Sequence, residues 1–258
     1  SNDPAFRVPT YDGKRWLDPG HPASRTRFLA VVDDVVRRYD IDGVHIDDYF
    51  YPYPADGIAF PDSTTYSEYT AGGGALSVAN WRRSNTDNLV QSMYSQVKAR
   101  KPWVKVGISP FGIWRPGNPA GVTGLDAYAS LYADSRKWLN QGWADYFSPQ
   151  LYWRISSTGQ PYGPLLDWWI SQNTRGRHLW PGNFTSNILS TAGNWEASEI
   201  IDQIAATRAR TGSTGNVHFS ARVLTNNTKE IRTLLRNGPY AADAMIPASP
   251  WLDAIPPR

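Results

Sequence analysis

Five times along this chain, a short run of β-branched and aromatic residues alternates with a longer segment carrying apolar residues at helical spacing. The strand-like runs are IDGVHIDDYF, WVKVGISPFG, ADYFSPQLYW, HLWPGNFT and NVHFSARVL. A helical segment, HPASRTRFLAVVDDVVRRYD, leads them. VANWRRSNTDNLVQSMYSQVKARKP, LDAYASLYADSRKWLNQG, GPLLDWWISQNT, NWEASEIIDQIAATRART and TKEIRTLLRNG follow the strands in turn. Alternation of this kind predicts an α/β fold with a parallel sheet. Right-handed βα repeats that close on themselves make a (β/α)8 barrel. The pattern therefore predicts a TIM-barrel-type fold with about five βα units present: either its first strands precede this sequence, or the barrel is open. The first forty residues supply only a helix and a Pro-rich lead-in. One barrel domain is expected over residues 1–245, and residues 246–258 read as an extended C-terminal segment or linker.

Composition narrows the function classes. With 19% charged and 41% hydrophobic residues in 258, the chain has the balance of a globular domain. Its net charge of +3 is small and no Lys/Arg run exceeds two residues, so nucleic acid is not an expected partner. No stretch approaches a membrane span of roughly 20 apolar residues. The absence of cysteine removes disulfides, thiolate metal sites and cysteine nucleophiles. No cofactor motif is present: SPFG and FSAR lack the spacing of a phosphate loop or a nucleophile elbow. The pattern is silent on oligomeric state. The unusual component is aromatic, 12 Trp and 14 Tyr, many beside polar or Gly/Pro-rich stretches. A flat apolar face with a hydrogen-bonding edge suits a sugar ring, so carbohydrate is the expected partner.

The segments that follow the strands hold the chemistry: DDYFYPYPADG, SPFGIWRPGNPAG, SPQLYWRISSTGQPYG, PGNFTSN and SARVLTNN. In a barrel these gather at the C-terminal face, where active sites sit. Strand alternation points His45 and Asp47 to the interior, with Asp47 last before the loop. A carboxylate there suits a nucleophile or a stabiliser of oxocarbenium charge in glycoside hydrolysis. Asp48 faces the other way if the strand stays regular. It joins Asp47 as a catalytic candidate only if the strand breaks, and otherwise tethers the aromatic loop. Gln150 and Tyr152 should point inward beside Asp47. Tyr49, Trp114, Trp153 and Trp180 are candidate sugar-contacting aromatics, and His45, Arg115 and Asn183 candidate hydroxyl-binding groups. Glu68 is a further candidate acid, whereas Asp126, Asp134 and Asp167 read as helix residues. His45, Asp47 and Asp48 make too thin a ligand set for a metal, so none is expected.

The runs RWLDPGHP, VVRRYDIDGVHIDDYFYP, WRRSN, KPWVKVGISPFGIWR, LYADSRKWLNQGWADYFSPQLYW, HLWPGN and SPWLD resemble the bacterial glycosyl-hydrolase-like family 10, also called domain of unknown function 187. The resemblance covers nearly the whole chain in consistent order. It implies an exported bacterial protein, secreted or at the cell surface, with a (β/α)8 barrel whose first strands precede WLDPG. Its targeting segment is expected outside this sequence. His45-x-Asp47 is similar to the Arg-x-Asp that ends the fourth strand of α-amylase-type barrels, where the Asp is the nucleophile. DGVHIDD is also similar to the family 18 chitinase motif, but Tyr49 stands where that motif has its acid Glu and His45 where it has an Asp. That departure argues against a chitinase-type, substrate-assisted mechanism. Two readings follow: a glycoside hydrolase of a polysaccharide or cell-wall glycan, and a carbohydrate-binding barrel without catalysis.

Overall fold

The computed structural model describes residues 7–252. The chain enters through an antiparallel hairpin, β1 (Thr10–Tyr11) and β2 (Lys14–Arg15). Asp12 and Gly13 at its turn have φ of 46° and 70°, the left-handed pair that a two-residue hairpin turn demands and that Asp-Gly tolerates. The sequence pattern assigned no strand here, because two-residue strands are too short to alternate. Helix α1 (Pro22–Arg38) starts on Pro22, whose fixed φ suits a first turn, and ends on Arg37 and Arg38 at the negative end of the dipole.

The repeating part then runs β3 (Gly43–Ile46), α2 (Ser63–Ala71), α3 (Val78–Arg100), β4 (Lys105–Ile108), α4 (Ala127–Ser130), α5 (Ser135–Gln141), β5 (Tyr146–Phe147) and α6 (Tyr162–Gln172). It continues with β6 (His178–Leu179), β7 (Gly182–Asn183), α7 (Ala197–Arg208), β8 (Val217–His218), α8 (Ala221–Thr225) and α9 (Ile231–Asn237). Strands β3, β4, β5 and β6 pair in that order, all parallel, and β7 pairs parallel with β8. Bridges from Gln150 to Phe111 and to Gly182 tie the two sheets together. The result is an arc of five parallel strand paths with helices outside, an α/β fold of TIM-barrel type and an open, partial barrel.

Several elements differ from the pattern, each for a local reason. HLWPGNFT is one strand path in two pieces, because Pro181 has no N–H to donate to a ladder. LDAYASLYADSRKWLNQG is two helices. Asp126 and Asp134 are their N-caps, accepting from the amides of Ala129 (2.9 Å) and Lys137 (3.2 Å). Only Val217–His218 of NVHFSARVL pairs, and its second half turns into α8. Helix α2 lies within what the pattern left as loop.

One face of the arc is dry. Val106, Ile108, Phe147 and Leu179 are fully buried against Val90, Met93, Leu139, Leu166 and Trp169 from α3, α5 and α6. Trp169 also donates its indole N–H to the Gly112 carbonyl at 2.9 Å. Gly112 leaves no room for a side chain, since a Cβ there would lie 2.2 Å from the Gln150 carbonyl oxygen. Helix α6 thereby holds the loop after β4 against the strand end that carries Gln150. A second core joins α7, α8 and α9 through Ile200, Ile204, Val223 and Ile231.

The C-terminal segment is docked where it can be followed. Ser249 hydrogen-bonds His178 Nε2 (2.9 Å), and Trp251 donates to the buried Asp145 (2.8 Å) with Arg177 over its ring. Residues 253–258 of the expected linker lie outside the described residues. Among the described residues no helix is long and apolar enough to cross a membrane.

Trp169→Phe keeps the ring but strands a buried carbonyl. It should cost about 2 kcal/mol in urea unfolding; a loss under about 0.5 kcal/mol would mean that Gly112 finds another donor.

Candidate active site

Parallel register sorts the side chains into rows. His45, Gly107, Tyr146 and His178 are successive partners across β3 to β6, on the face opposite the dry core. Gly107 is a space requirement: a Cβ there would come within 1.8 Å of the Tyr146 ring. Tyr146 uses that space to stack on His45 with centroids 5.5 Å apart, and its hydroxyl meets His45 Nδ1 at 2.9 Å. Ser109 Oγ takes the other ring nitrogen at 2.7 Å. Burial pushes the His45 imidazole pKa down, opposed by the charge of Asp47. Both ring nitrogens are engaged, so the imidazole is a strut beneath the next row.

Two residues further along β3, that row begins with Asp47. The strand ends at Ile46, and the Phe50 amide turns back to the Asp48 carbonyl (2.9 Å). The chain therefore bends where the two carboxylates sit, and Asp48 is not the outward mirror of Asp47. Asp47 is exposed; its Oδ1 accepts from the Asp48 amide (2.8 Å) and from Gln150 Nε2 (3.0 Å). Gln150 Nε2 is anchored in turn on the Ser109 carbonyl at 2.9 Å. Asp48 is only 2% exposed, and Tyr53 donates its hydroxyl to Oδ2. Burial pushes the Asp48 carboxyl up to about 6; the Tyr53 hydrogen bond opposes this, while the neighbouring Asp47 charge adds to it. Two adjacent carboxylates thus occupy opposite environments, one solvated and one shielded.

Aromatic rings wall this pair. Tyr53 packs edge-on to Phe111 (6.2 Å), and Phe111 edge-on to Trp153 (5.7 Å). Tyr49 is 61% exposed and leans between Trp16 and Tyr53 at the rim. Beside Asp47 and Tyr49 lies a cavity of about 370 Å³, lined also by Trp16, Leu17, Phe28 and Ile46, within the size range of small-ligand sites. Tyr152 stands two residues beyond Gln150 on the same side. Burial raises its phenol pKa, with Asp47 and Asp48 adding to the shift.

The structure gathers Asp47, Asp48, Gln150, Tyr49 and Tyr152 into one region, with His45 below, while Trp153 turns to the other side and packs on Phe111 and the main core. It does not bring the other candidates there. Trp114 stacks on Trp168 (5.9 Å) and donates to Asp134, and Arg115 pairs with Asp126 (3.2 Å), so both brace the tops of α4, α5 and α6. Asn183 faces the helices, because its neighbour Gly182 takes the inward position. Fully buried, it hydrogen-bonds Gln203, Asn216 and Tyr162. Trp180 faces inward, but its ring lies down over Tyr146 and His178 and its N–H is given to Thr214. Glu68 is held by Arg7, and Asp167 by Arg210. Tyr53 is the participant the sequence reading passed over; its signal was the Pro-bounded YPYP that returns the loop over Asp48.

The model of the glycosyl hydrolase-like 10 family matches residues 7–198. The glycosyl hydrolase YngK of Bacillus subtilis (strain 168) is 38% identical over 260 residues, 97% of this chain and 51% of that protein. The glycosyl hydrolase DigH of Escherichia coli (strain K12) is 42% identical over 157 residues, 59% of this chain and 35% of that protein. The chain thus spans about half the length of the first of these relatives. Among solved structures, the PgaB (BpsB) glycoside hydrolase domain of Bordetella bronchiseptica superposes with a TM-score of 0.51 at 11% identity, over 89% of this chain and 67% of that one. That last likeness is one of fold.

Asp48 carries a linkage consequence. Its folded pKa, about 6, lies above the 3.8 of an unperturbed Asp, so the folded state holds the extra proton. Its contribution to stability is therefore greatest below pH 4 and falls as pH rises through 6. Asp48→Asn, which can still accept from Tyr53, should be more stable than the parent at pH 7.5 by on the order of 2 kcal/mol. Most of that gain should vanish at pH 4. Equal stability gains at both pH values in denaturant titrations would exclude a shielded, ionising Asp48.

Proposed function

The chain belongs to the glycosyl hydrolase-like 10 family, and from that premise we propose that it hydrolyses O-glycosidic bonds of a polysaccharide or cell-wall glycan at Asp47 and Asp48. The observation that carries the reading is the division of labour between the two carboxyls. Carboxylates whose environments drive their pKa values apart are the usual acid and base of a hydrolytic site. Asp47, solvent-facing and fixed by Gln150 and the Asp48 amide, is oriented as an anion toward a bound sugar. It serves as nucleophile or as stabiliser of the positive charge at the anomeric carbon. Both roles need the same accessible, ionised group.

Asp48 is the acid. On this reading Tyr53, which donates to Oδ2, swings aside when sugar binds, and the Asp48 proton then passes to the departing glycosidic oxygen as the bond to the anomeric carbon breaks. The water that completes hydrolysis then returns a proton to Asp48 and a hydroxyl to the sugar. A carbohydrate-binding barrel without catalysis accounts less well for a shielded, protonatable carboxyl beside an exposed one. On this reading the substrate is met outside the cytoplasm, as expected of an exported protein.

Two measurements test the reading. Asp47→Asn should lower turnover of soluble glycan oligomers by at least about a thousandfold with the fold intact by circular dichroism. Retention of full turnover would end the assignment. For the parent, the acid must be protonated, so kcat/KM should fall as pH rises through about 6. Asp48→Asn should abolish that limb along with most of the activity; a limb that persists belongs to another group.

A further inference from the structure

Above the Asp47 level the same register produces a feature that the strand pattern left unused. Gln150 bridges to Gly182, and Gly182 pairs with Val217. Two residues further along each path stand Tyr152, Phe184 and Phe219. Three neighbouring strand ends thus carry an aromatic in one row, one strand step of roughly 6.5 Å beyond Gln150. The rings meet: Tyr152 lies 4.8 Å from Phe184 and 5.7 Å from Phe219, the latter pair near parallel at 29°, and Phe184 is 5.8 Å from Phe219. Gly182 beneath makes way for Tyr152, since a Cβ there would sit 3.2 Å from the ring.

This is a shelf with an open top. Phe219 is 49% exposed, a large value for a phenylalanine fixed among other rings. Tyr152 and Phe184 are partly buried, and the Tyr152 hydroxyl has no hydrogen-bond partner among the described residues. Nor does the shelf belong to a hydrophobic core: the core of α7 to α9 touches it only through Phe184. Exposed clustered rings at the C-terminal end of barrel strands, beside a phenol hydroxyl, suit a ligand with an apolar face and a hydroxyl edge. Acidic partners are disfavoured at the near end, where the carboxyls of Asp47 and Asp48 lie close by.

We infer that Tyr152, Phe184 and Phe219 form a stacking subsite for an uncharged pyranose unit of a glycan chain, one step along the chain from the sugar at Asp47. The subsite rests on the proposed hydrolase reading for the direction in which the glycan runs, but its binding does not require turnover. It gives the site a preference for oligomers over single glycosides, since only a chain reaches both Asp47 and the shelf.

The test measures binding and turnover separately. Hexasaccharides of glucose, N-acetylglucosamine and xylose are titrated by calorimetry into the 258-residue chain carrying Asp47→Asn, alone and with Phe219→Ala or Phe219→Tyr. At least one hexasaccharide should bind. Phe219→Ala should weaken it about tenfold, and Phe219→Tyr should hold affinity within about twofold. Phe219 is half exposed, so its truncation should leave the fold intact by circular dichroism and lower the unfolding midpoint only slightly. Equal affinity for the Ala and parent forms, or no binding of any of the three hexasaccharides, overturns the subsite. Hydrolysis by the chain with Asp47 intact is followed in parallel. Shelf-dependent binding without hydrolysis would refute the hydrolase reading and leave the subsite standing, whereas hydrolysis indifferent to Phe219→Ala would do the reverse.

Discussion

The parallel register from β3 through β8 is the constraint on which the rest of the site depends. It assigns every inward side chain to a row: His45 with Gly107, Tyr146 and His178, then Asp47 with Ser109, then Gln150 with Gly182, then the three rings above. A slip of one residue in any path would exchange those groups for the apolar residues packed against the helices. The dry face is what prevents the slip, because Val106, Ile108, Phe147 and Leu179 have no other place to be buried. Site geometry is thus secured by packing on the far side of the sheet.

Glycine does much of the positioning at this register. Gly107 admits the Tyr146 ring, Gly112 admits the Gln150 backbone, and Gly182 admits the Tyr152 ring. A neighbour's bulk, rather than an unusual backbone angle, excludes a side chain at Gly107 and Gly112 and crowds one at Gly182. Gly107 and Gly112 lie on the β4 path and Gly182 on the path two over, and they let large aromatic and polar groups lean sideways across the sheet. That sideways lean makes a layered interior, in which His45, Tyr146, Trp180 and His178 overlap in sequence and Trp251 from the C-terminal segment adds to the stack.

Electrostatics then separates two neighbours of identical chemistry. Asp47 is exposed and is held by the Asp48 amide and the Gln150 side chain. Asp48 is shielded, and its proton is retained by burial despite a Tyr53 hydrogen bond that favours ionisation. The same shielding that keeps the proton on Asp48 costs stability at neutral pH, an exchange common at functional sites. The Tyr53 loop is part of that arrangement, because without it Asp48 would be open to water and the two carboxyls would become alike.

The sequence by itself determined the fold class, the number and order of the βα units, and the inward, strand-end position of Asp47. These follow from local periodicity, which survives without knowledge of partners. The alternation that placed Gln150 and Tyr152 beside Asp47 is of the same kind. It stopped being informative where a strand ends: Asp48 could not be oriented until the turn after Ile46 was visible. Asn183 follows the unbroken alternation from buried Leu179 and faces the helices, with Gly182 in the inward position. Trp114 and Arg115 were legible as loop residues but not as struts, since Trp168, Asp134 and Asp126, which claim them, arrive through helix packing. Only tertiary structure joined Tyr152, Phe184 and Phe219, which lie more than thirty residues apart in turn. Lateral neighbours in a parallel sheet are always separated by a helix in the chain, so row partners are a property of the register and not of any local stretch.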